Sequence, residues 1–378
     1  MKTMTLENIT KACRGTYFGP EEKKSRTIEG AVIDSRLVEK DYLFIPVKGE
    51  KVDGHKFIPQ VFEKGAAAVL SEKPLDPEME PYILVESTLQ ALKDIAEYYR
   101  STLEIPVVGI AGSVGKTSTK EMIASVLSEK YRVLKTEGNF NNEIGLPLTL
   151  LRIRDEHQAA VVEMGISDFG EMHRLAKMAR PDICVMTNIG LCHLENLKSR
   201  DGILKAKSEI FDFLKPDGKI ILNGNDDKLS TIQEVKGIRP IRYFVEDGTA
   251  PKGDEEYFVT ASDIKNLGLK GMDAVFHFPE ETRKVHIPIP GAHNIYNALA
   301  GACVGRALGL DNDEIIAGIQ AAKTIRGRTN LLEIGGMTVI DDCYNANPVS
   351  MRASLDVLSQ GQGRKIAVLG DMGELGEE

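Results

Sequence analysis

Three features of the sequence predict an α/β protein built from three domains. Residues 1–103 alternate short apolar runs with glycine-rich turns and two helical stretches. An apolar, β-branched run at Ile105–Ile110 meets a glycine loop and then a helical stretch. Near Gly327 a strand and helix pattern starts afresh. Strands alternating with helices are the mark of a mostly parallel sheet covered on both faces.

In the first domain, Ala31–Ile33, Tyr42–Val47, Ala66–Leu70 and Tyr82–Val85 read as strands, and Phe57–Lys64 and Leu89–Tyr99 carry helical spacing. In the second, residues 104–324, the run Ile105–Ile110 is a strand and Thr117–Lys130 a helix. Buried strands follow at Ala159–Val162, Ile183–Met186 and Lys219–Leu222, with helices at Glu171–Met178 and Ile203–Leu214 between them. Tyr243 to Ile289 is strand-like without helices, which predicts an antiparallel extension, and His293–Leu308 is a helix. The third, residues 325–378, offers strands at Met337–Ile340 and Lys365–Leu369 around a helix at Ser350–Leu358. Only about fifty residues remain for it, against a usual domain of roughly 100–150, so this domain is expected to be cut short.

Composition narrows the classes of function. The 378 residues carry a net charge of -9 with 27% charged and 42% hydrophobic side chains. No segment forms a basic stripe, which argues against nucleic acid as the main partner. The polar start MKTMTLENIT has no signal-peptide pattern, and no apolar run approaches the roughly 20 residues that span a bilayer, so no membrane insertion is expected. Five scattered cysteines without CxxC spacing suit reduced thiols in the cytoplasm.

The strongest chemical signal is Gly112-Ser113-Val114-Gly115-Lys116-Thr117. It follows a strand and opens a helix, the setting in which backbone N–H groups cradle phosphate oxygens. Lys116 can reach the β and γ phosphates and the Thr117 hydroxyl can ligate Mg²⁺. The spacing is the short GxxGK[ST], because Ile110 stands where a longer loop would have its first glycine. Glu163 closes the apolar run Ala159–Val162, and a carboxylate at a strand end beside a phosphate loop is placed to ligate Mg²⁺.

Other segments say less on their own. Thr136 to Gly145, rich in amides and glycines, reads as an ordinary turn or as a polar loop holding a carboxylate or phosphates. His193 follows the strand-end loop Thr187–Gly190, and Lys207 lies within a helix; a structural histidine and a solvated lysine are the plain readings. Gly291–Asn297 opens a helix with amide caps. Asp341–Pro348 suits a turn, or ribose or metal contacts.

Taken together, the segments GSVGKTSTKEM (Gly112–Met122), GNFNNEIGLPLTL (Gly138–Leu150), EMGISDFGEM (Glu163–Met172), TNIGLCHLE (Thr187–Glu195), AKSEIF (Ala206–Phe211), GAHNIYNALA (Gly291–Ala300), DDCYNANPVSM (Asp341–Met351) and VLGDMGELGEE (Val368–Glu378) resemble the Mur ligase family. The likeness runs along nearly the whole chain in family order. GNFNNEIGLPLTL and DDCYNANP are specific to the branch that adds D-alanyl-D-alanine to UDP-MurNAc-tripeptide, whereas the GKT loop is common to all.

The resemblance implies an N-terminal domain for the UDP-sugar, a central ATPase and a Rossmann-like C-terminal domain that is incomplete here. It implies ATP contacts at Gly112, Ser113, Gly115, Lys116, Thr117, Ser118, Asn294, Asn297, Arg328 and Asp342. Ser35, Arg36, Asn139, Asn141 and Asn142 become substrate-binding candidates, and Arg36 suits a diphosphate physically as well. Mg²⁺ ligation falls to Thr117, Glu163, His193 and Lys207, the last as a carbamate, which would turn a cation into an anion. Lys116, Lys207, His193 and Arg328 become the catalytic candidates. The expected reaction makes an acyl phosphate from ATP and the tripeptide carboxylate, which the dipeptide amine attacks. A monomer acting in the cytoplasm is expected. Cys192 and Asn196-Leu197 depart from the usual residues around the histidine loop. The rival readings are a sibling ligase, against which the two branch-specific segments speak, an ATP-driven switch, which would ignore a tripeptide nucleotide, and a chain that only binds its ligands.

Overall fold

The structure, a computed structural model, describes residues 1, 3–246 and 259–373. Part of the strand-like stretch between Tyr243 and Ile289 and the tail of the Val368–Glu378 segment therefore lie outside the described residues. The chain divides into two compact units. One holds residues 1–105, 136–157 and 177–180, and the other holds 106–135, 158–176 and 181–378.

The first unit is built on five short strands: β1 (Thr16–Phe18), β2 (Gly30–Val32), β3 (Tyr42–Phe44), β4 (Ala68–Ser71) and β5 (Tyr82–Leu84). They form one sheet in the order β1-β5-β4-β3-β2, parallel except at β1. Its helices are α1 (Leu6–Ala12), α2 (Ile58–Glu63), α3 (Thr88–Ser101) and the short α5 (Gly145–Leu150). The sequence of α3 explains its placement. Ser87 caps it, its hydroxyl accepting from the Gln90 N–H at 3.2 Å. Leu92, Ile95, Ala96 and Tyr99 recur at helical spacing and are all buried. Burying each larger apolar side chain stabilises the unit by about 1.5–3 kcal/mol. Tyr99 lies against α5's flank, its hydroxyl donating to the Ile153 carbonyl at 2.6 Å.

The second unit is a nine-stranded sheet with helices α4 (Lys116–Leu127), α6 (Glu171–Ala179), α7 (Leu194–Leu197), α8 (Arg200–Ser208), α9 (His293–Ala307) and α10 (Asn312–Ala321). Its strands are β6 (Val107–Ala111), β7 (Val133–Lys135), β8 (Ala159–Glu163), β9 (Ile183–Met186), β10 (Lys219–Asn223), β11 (Ile241–Val245), β12 (Val259–Asn266), β13 (Met272–His277) and β14 (Thr282–Ile287). The order is β14-β13-β12-β11-β10-β9-β6-β8-β7. The pairings from β7 to β12 are parallel and those of β12, β13 and β14 antiparallel, so the antiparallel extension expected from Tyr243 onward begins only at the β12–β13 pairing. Every residue of β6, β8 and β9 is buried, the expected result for strands covered on both faces.

The helix that follows the glycine loop, α4, is held by α9 and α10 through small residues. A Cβ on Gly318 of α10 would sit 2.4 Å from the Val126 Cα, so only glycine allows this approach. No element is expected over α10 from the hydrophobic pattern, yet its start is marked by a capping box, Asp311 with Glu314.

After α10 come the hairpin β15 (Asn330–Ile334) and β16 (Met337–Asp341), then α11 (Pro348–Ser359). The strand expected at Lys365–Leu369 is not formed. Ile366, Val368 and Leu369 are 65%, 94% and 58% exposed. A strand needs a neighbour for its N–H and C=O groups, and no strand pairs with this segment among the described residues. The sheet of the second unit has β6 between β8 and β9, so the chain leaves β6 to opposite sides. The carboxyl ends of strands at such a switch point are where open α/β sheets bind ligands.

Candidate active site

Those carboxyl ends carry the residues singled out from sequence. Gly112 follows β6, Glu163 ends β8, Thr187 follows β9 and Asn223 ends β10. With α4, α9, β15–β16 and α11 they surround a cleft of about 450 Å³. Its walls include Ser113–Ser118, Glu163, Asn188, His193, Asn297, Arg328 and Asp342.

The loop between β6 and α4 has only four residues. Gly112 has φ +150° and a Cβ there would lie 2.0 Å from the Thr187 Oγ1; Gly115 has φ +83° and precedes the first turn of α4. Both conformations favour glycine, Gly112 for space as well as torsion. α4 thus opens into the cleft with the unpaired N–H groups of its first turn and the positive end of its dipole, an arrangement made for phosphate. The Lys116 ammonium folds back on its own loop, donating to the Gly112 carbonyl at 2.9 Å. Phosphate oxygens would draw it forward.

Thr117 and Glu163 meet across the loop. The hydroxyl donates to the Glu163 Oε2 at 2.9 Å, and Glu163 is 2% exposed. A hydroxyl that gives its proton to a carboxylate keeps its lone pairs for a cation. His193 joins the same cleft at φ +50°, a left-handed conformation uncommon for a residue with a side chain. Lys207, in α8, is 1% exposed and does not line the cleft. Burial, with the nearby Lys116 charge, pulls its pKa down to about 7.

Asn294 and Asn297 play unequal parts. The Asn297 Oδ1 accepts from the Thr119 hydroxyl at 2.8 Å and its Nδ2 donates to the Asn294 Oδ1 at 2.8 Å. Asn294 donates in turn to the Pro290 carbonyl. Asn297 forms part of the cleft wall, while Asn294 stands outside it as a brace. Arg328 stacks on the Tyr344 ring, its guanidinium carbon 4.4 Å from the centroid. Asp342 accepts from the Thr329 N–H at 3.1 Å and from the Ser354 hydroxyl.

The substrate candidates Ser35, Arg36, Asn139, Asn141 and Asn142 belong to the first unit. Ser35 is buried, and Arg36 is exposed with its guanidinium forked onto Asp34, whose carboxyl it holds down at about 2. Asn142 stands just before α5, its Oδ1 accepting from the Gly145 N–H at 2.9 Å. Asn139 and Asn141 share the preceding turn, with the Asn141 N–H bonded to the Asn139 carbonyl.

Sequence reading passed over several cleft residues: Asn188, Asn223, Tyr243, His293, Tyr296 and Ser354. Asn188 lay within the strand-end loop already noted, and Asn223 at the next strand end. The switch-point rule would have found both once the strand order was known. Tyr243 stood only at the start of a strand-like stretch and Tyr296 within the helix opening at Gly291–Asn297, and neither was singled out.

Comparison with known proteins agrees with this geometry. Residues 27–100 match the sequence model described as Mur ligase family, catalytic domain; 110–305 match the Mur ligase middle domain; and 327–378 match the Mur ligase, glutamate ligase domain. The chain is 40% identical to the UDP-N-acetylmuramoyl-tripeptide–D-alanyl-D-alanine ligase of Bacillus subtilis over 380 residues, covering 99% of this chain and 79% of that one. Against the enzyme of that name from Escherichia coli it is 36% identical, covering 100% and 81%. A crystal structure of MurF from Acinetobacter baumannii superposes with a TM-score of 0.87 at 35% identity, over 99% of this chain and 80% of that one. MurF from Thermotoga maritima, in complex with ADP, superposes with a TM-score of 0.79 at 33% identity, over 92% and 78%. With a phosphate loop at the switch point of its central sheet, and with this extent of likeness, the chain belongs to the Mur ligase family.

Proposed function

We propose that this chain is the ATP-dependent ligase that joins D-alanyl-D-alanine to UDP-MurNAc-tripeptide in the making of peptidoglycan precursors. The observation that carries the proposal is the phosphate loop Gly112–Thr117, with Thr117 bonded to Glu163 and Arg328 and Asp342 in the walls of the same cleft. The relatives named for this activity supply the substrates.

The chemistry follows from the substrates. A carboxylate resists attack by an amine because it is already anionic. Transfer of the γ-phosphoryl group from ATP makes an acyl phosphate, and the dipeptide amine then displaces phosphate. The N–H groups at the start of α4 hold the phosphates, and Lys116 moves from the Gly112 carbonyl to neutralise the group in flight. Arg328, lying over the Tyr344 ring, adds a second positive charge, and Asp342 suits a ribose hydroxyl. Asn297, fixed by Thr119 and Asn294, is placed for the adenine, with Asn294 as its brace.

The residues present fit magnesium. Among the described residues no three His, Cys, Asp or Glu side chains gather into a metal site. A cation here would combine Thr117, Glu163 and His193 with phosphate oxygens, which is how magnesium is usually held. Bound there, it would neutralise charge on the β and γ phosphates. Lys207 as a cation would oppose that charge. Its depressed pKa leaves free amine at neutral pH, and that amine can take up CO₂ as a carbamate, giving an anion on the metal side.

Ser35, Arg36, Asn139, Asn141 and Asn142 are proposed to hold the UDP-tripeptide. The domains are proposed to run over 1–103, 104–324 and 325–378, and the chain is proposed to act as a cytoplasmic monomer. Among the described residues no helix is long and apolar enough to cross a membrane. A coupled assay tests the function. Phosphate release should require ATP, a tripeptide nucleotide and D-alanyl-D-alanine together; release that ignores the dipeptide refutes it.

A further inference from the structure

The phosphate loop of this chain is short, and the groups that give it shape come from a different strand. Of its four residues, two give their N–H groups to Asn188. The Ser113 N–H bonds the Asn188 backbone carbonyl at 3.0 Å, and the Val114 N–H bonds the Asn188 Oδ1 at 2.9 Å. The Asn188 Nδ2 returns a bond to the Val114 carbonyl at 3.0 Å, and the Thr187 hydroxyl reaches the same carbonyl at 2.7 Å. One carboxamide thus brackets both polar groups of the Val114 residue. Only the orientation with oxygen toward the N–H and nitrogen toward the C=O satisfies both partners.

Asn188 is itself held on both sides. The Asn223 Nδ2 donates to the Thr187 carbonyl at 3.0 Å, and the Ile189 N–H donates to the Asp226 Oδ2 at 2.8 Å. Thr187 and Asn223 stand at the ends of paired strands β9 and β10, so the clamp is anchored in the sheet. The constraint therefore runs from the sheet to the loop. With residues 113 and 114 committed to Asn188, the donors left for phosphate begin at Gly115 and continue through the first turn of α4.

We infer that Asn188 is a positioning residue for the nucleotide: by locking Val114 it aims the N–H groups at the start of α4 at the β-phosphate. The inference rests on the reading of the cleft as an ATP site. Without the clamp, Val114 would regain torsional freedom, and the loop would have to be ordered each time a nucleotide binds. Thr187 contributes one bond to the same carbonyl and has the smaller share.

Calorimetric titration of the whole chain with Mg-ADP and, separately, with AMP tests this. AMP lacks the β-phosphate that the loop would cradle. Asn188→Ala removes two hydrogen bonds, and the Kd for Mg-ADP should rise about tenfold while that for AMP changes less than about twofold. Thr187→Val removes one donor with little change of shape, and should weaken Mg-ADP by about threefold with AMP again unmoved. If both variants melt earlier but keep the parent's ratio of ADP to AMP affinity, Asn188 serves stability alone and the inference is overturned. Should Asn188→Ala not fold, Thr187→Val decides, and an unchanged ratio there overturns it. A parent chain that does not bind Mg-ADP overturns the reading of the cleft as well, which separates the two failures.

Discussion

Replacing Lys207 with methionine should make the protein more stable and destroy its activity. The amine is buried and its pKa falls from 10.5 to about 7, a difference of 3.5 units. At about 1.4 kcal/mol per unit, keeping the charge inside costs the folded state roughly 5 kcal/mol. Between pH 7 and 10.5 the unfolded chain holds one more proton than the folded chain, so the parent gains stability as pH rises through that window. At and below pH 7 the whole cost is present; near pH 10.5 it is gone. Methionine has a similar length and no charge, so Lys207→Met should exceed the parent by most at and below pH 7. The gap should narrow by about 2 kcal/mol from pH 7 to pH 9. Urea denaturation followed by circular dichroism in buffer freed of CO₂ measures it, using the transition that Mg-ADP shifts, because a chain with several domains need not unfold in one step. A gap that does not change with pH, or a parent more stable than the variant at pH 7, would mean that Lys207 is not held as a buried, destabilised cation.

Other consequences follow from the same site. Gly112→Ala puts a Cβ 2.0 Å from the Thr187 Oγ1 and forces the loop to move, so affinity for Mg-ADP should fall at least tenfold by calorimetry, on the order of a strained backbone position. Glu163→Gln keeps an acceptor for Thr117 but removes the charge, so the magnesium concentration needed for half-maximal turnover should rise by about 10–100-fold, the range for weakened metal sites. Lys207→Ala should lose turnover and regain part of it with added short carboxylates; full activity without them would exclude the carbamate.

How much of this was written in the sequence differs by element. The β6–loop–α4 unit was legible because glycine, lysine and threonine have distinct physical duties at a strand-to-helix turn, and it appears where expected. The parallel-to-antiparallel change in the central sheet was legible too, since β12–β14 lack intervening helices. Lys207 was not readable as an unusual group. Its position in a polar helix suggested solvent, and only the packing of that helix face buries it. The strand expected at Lys365–Leu369 failed for the opposite reason. Its apolar pattern was right for a strand, but pattern alone supplies no neighbour to bond with. Asn188 shows a third limit. A single amide in a loop carries little signal until the strand order reveals that its loop borders the phosphate turn.

In the proposed reaction the tripeptide carboxylate is activated by phosphoryl transfer. The direct measurement supplies UDP-MurNAc-tripeptide labelled with ¹⁸O in its terminal carboxylate, together with ATP, magnesium and D-alanyl-D-alanine, and weighs the released phosphate. An acyl phosphate leaves one carboxylate oxygen on that phosphate, so each released molecule should carry a single ¹⁸O. Phosphate released without the label would mean that no acyl phosphate forms.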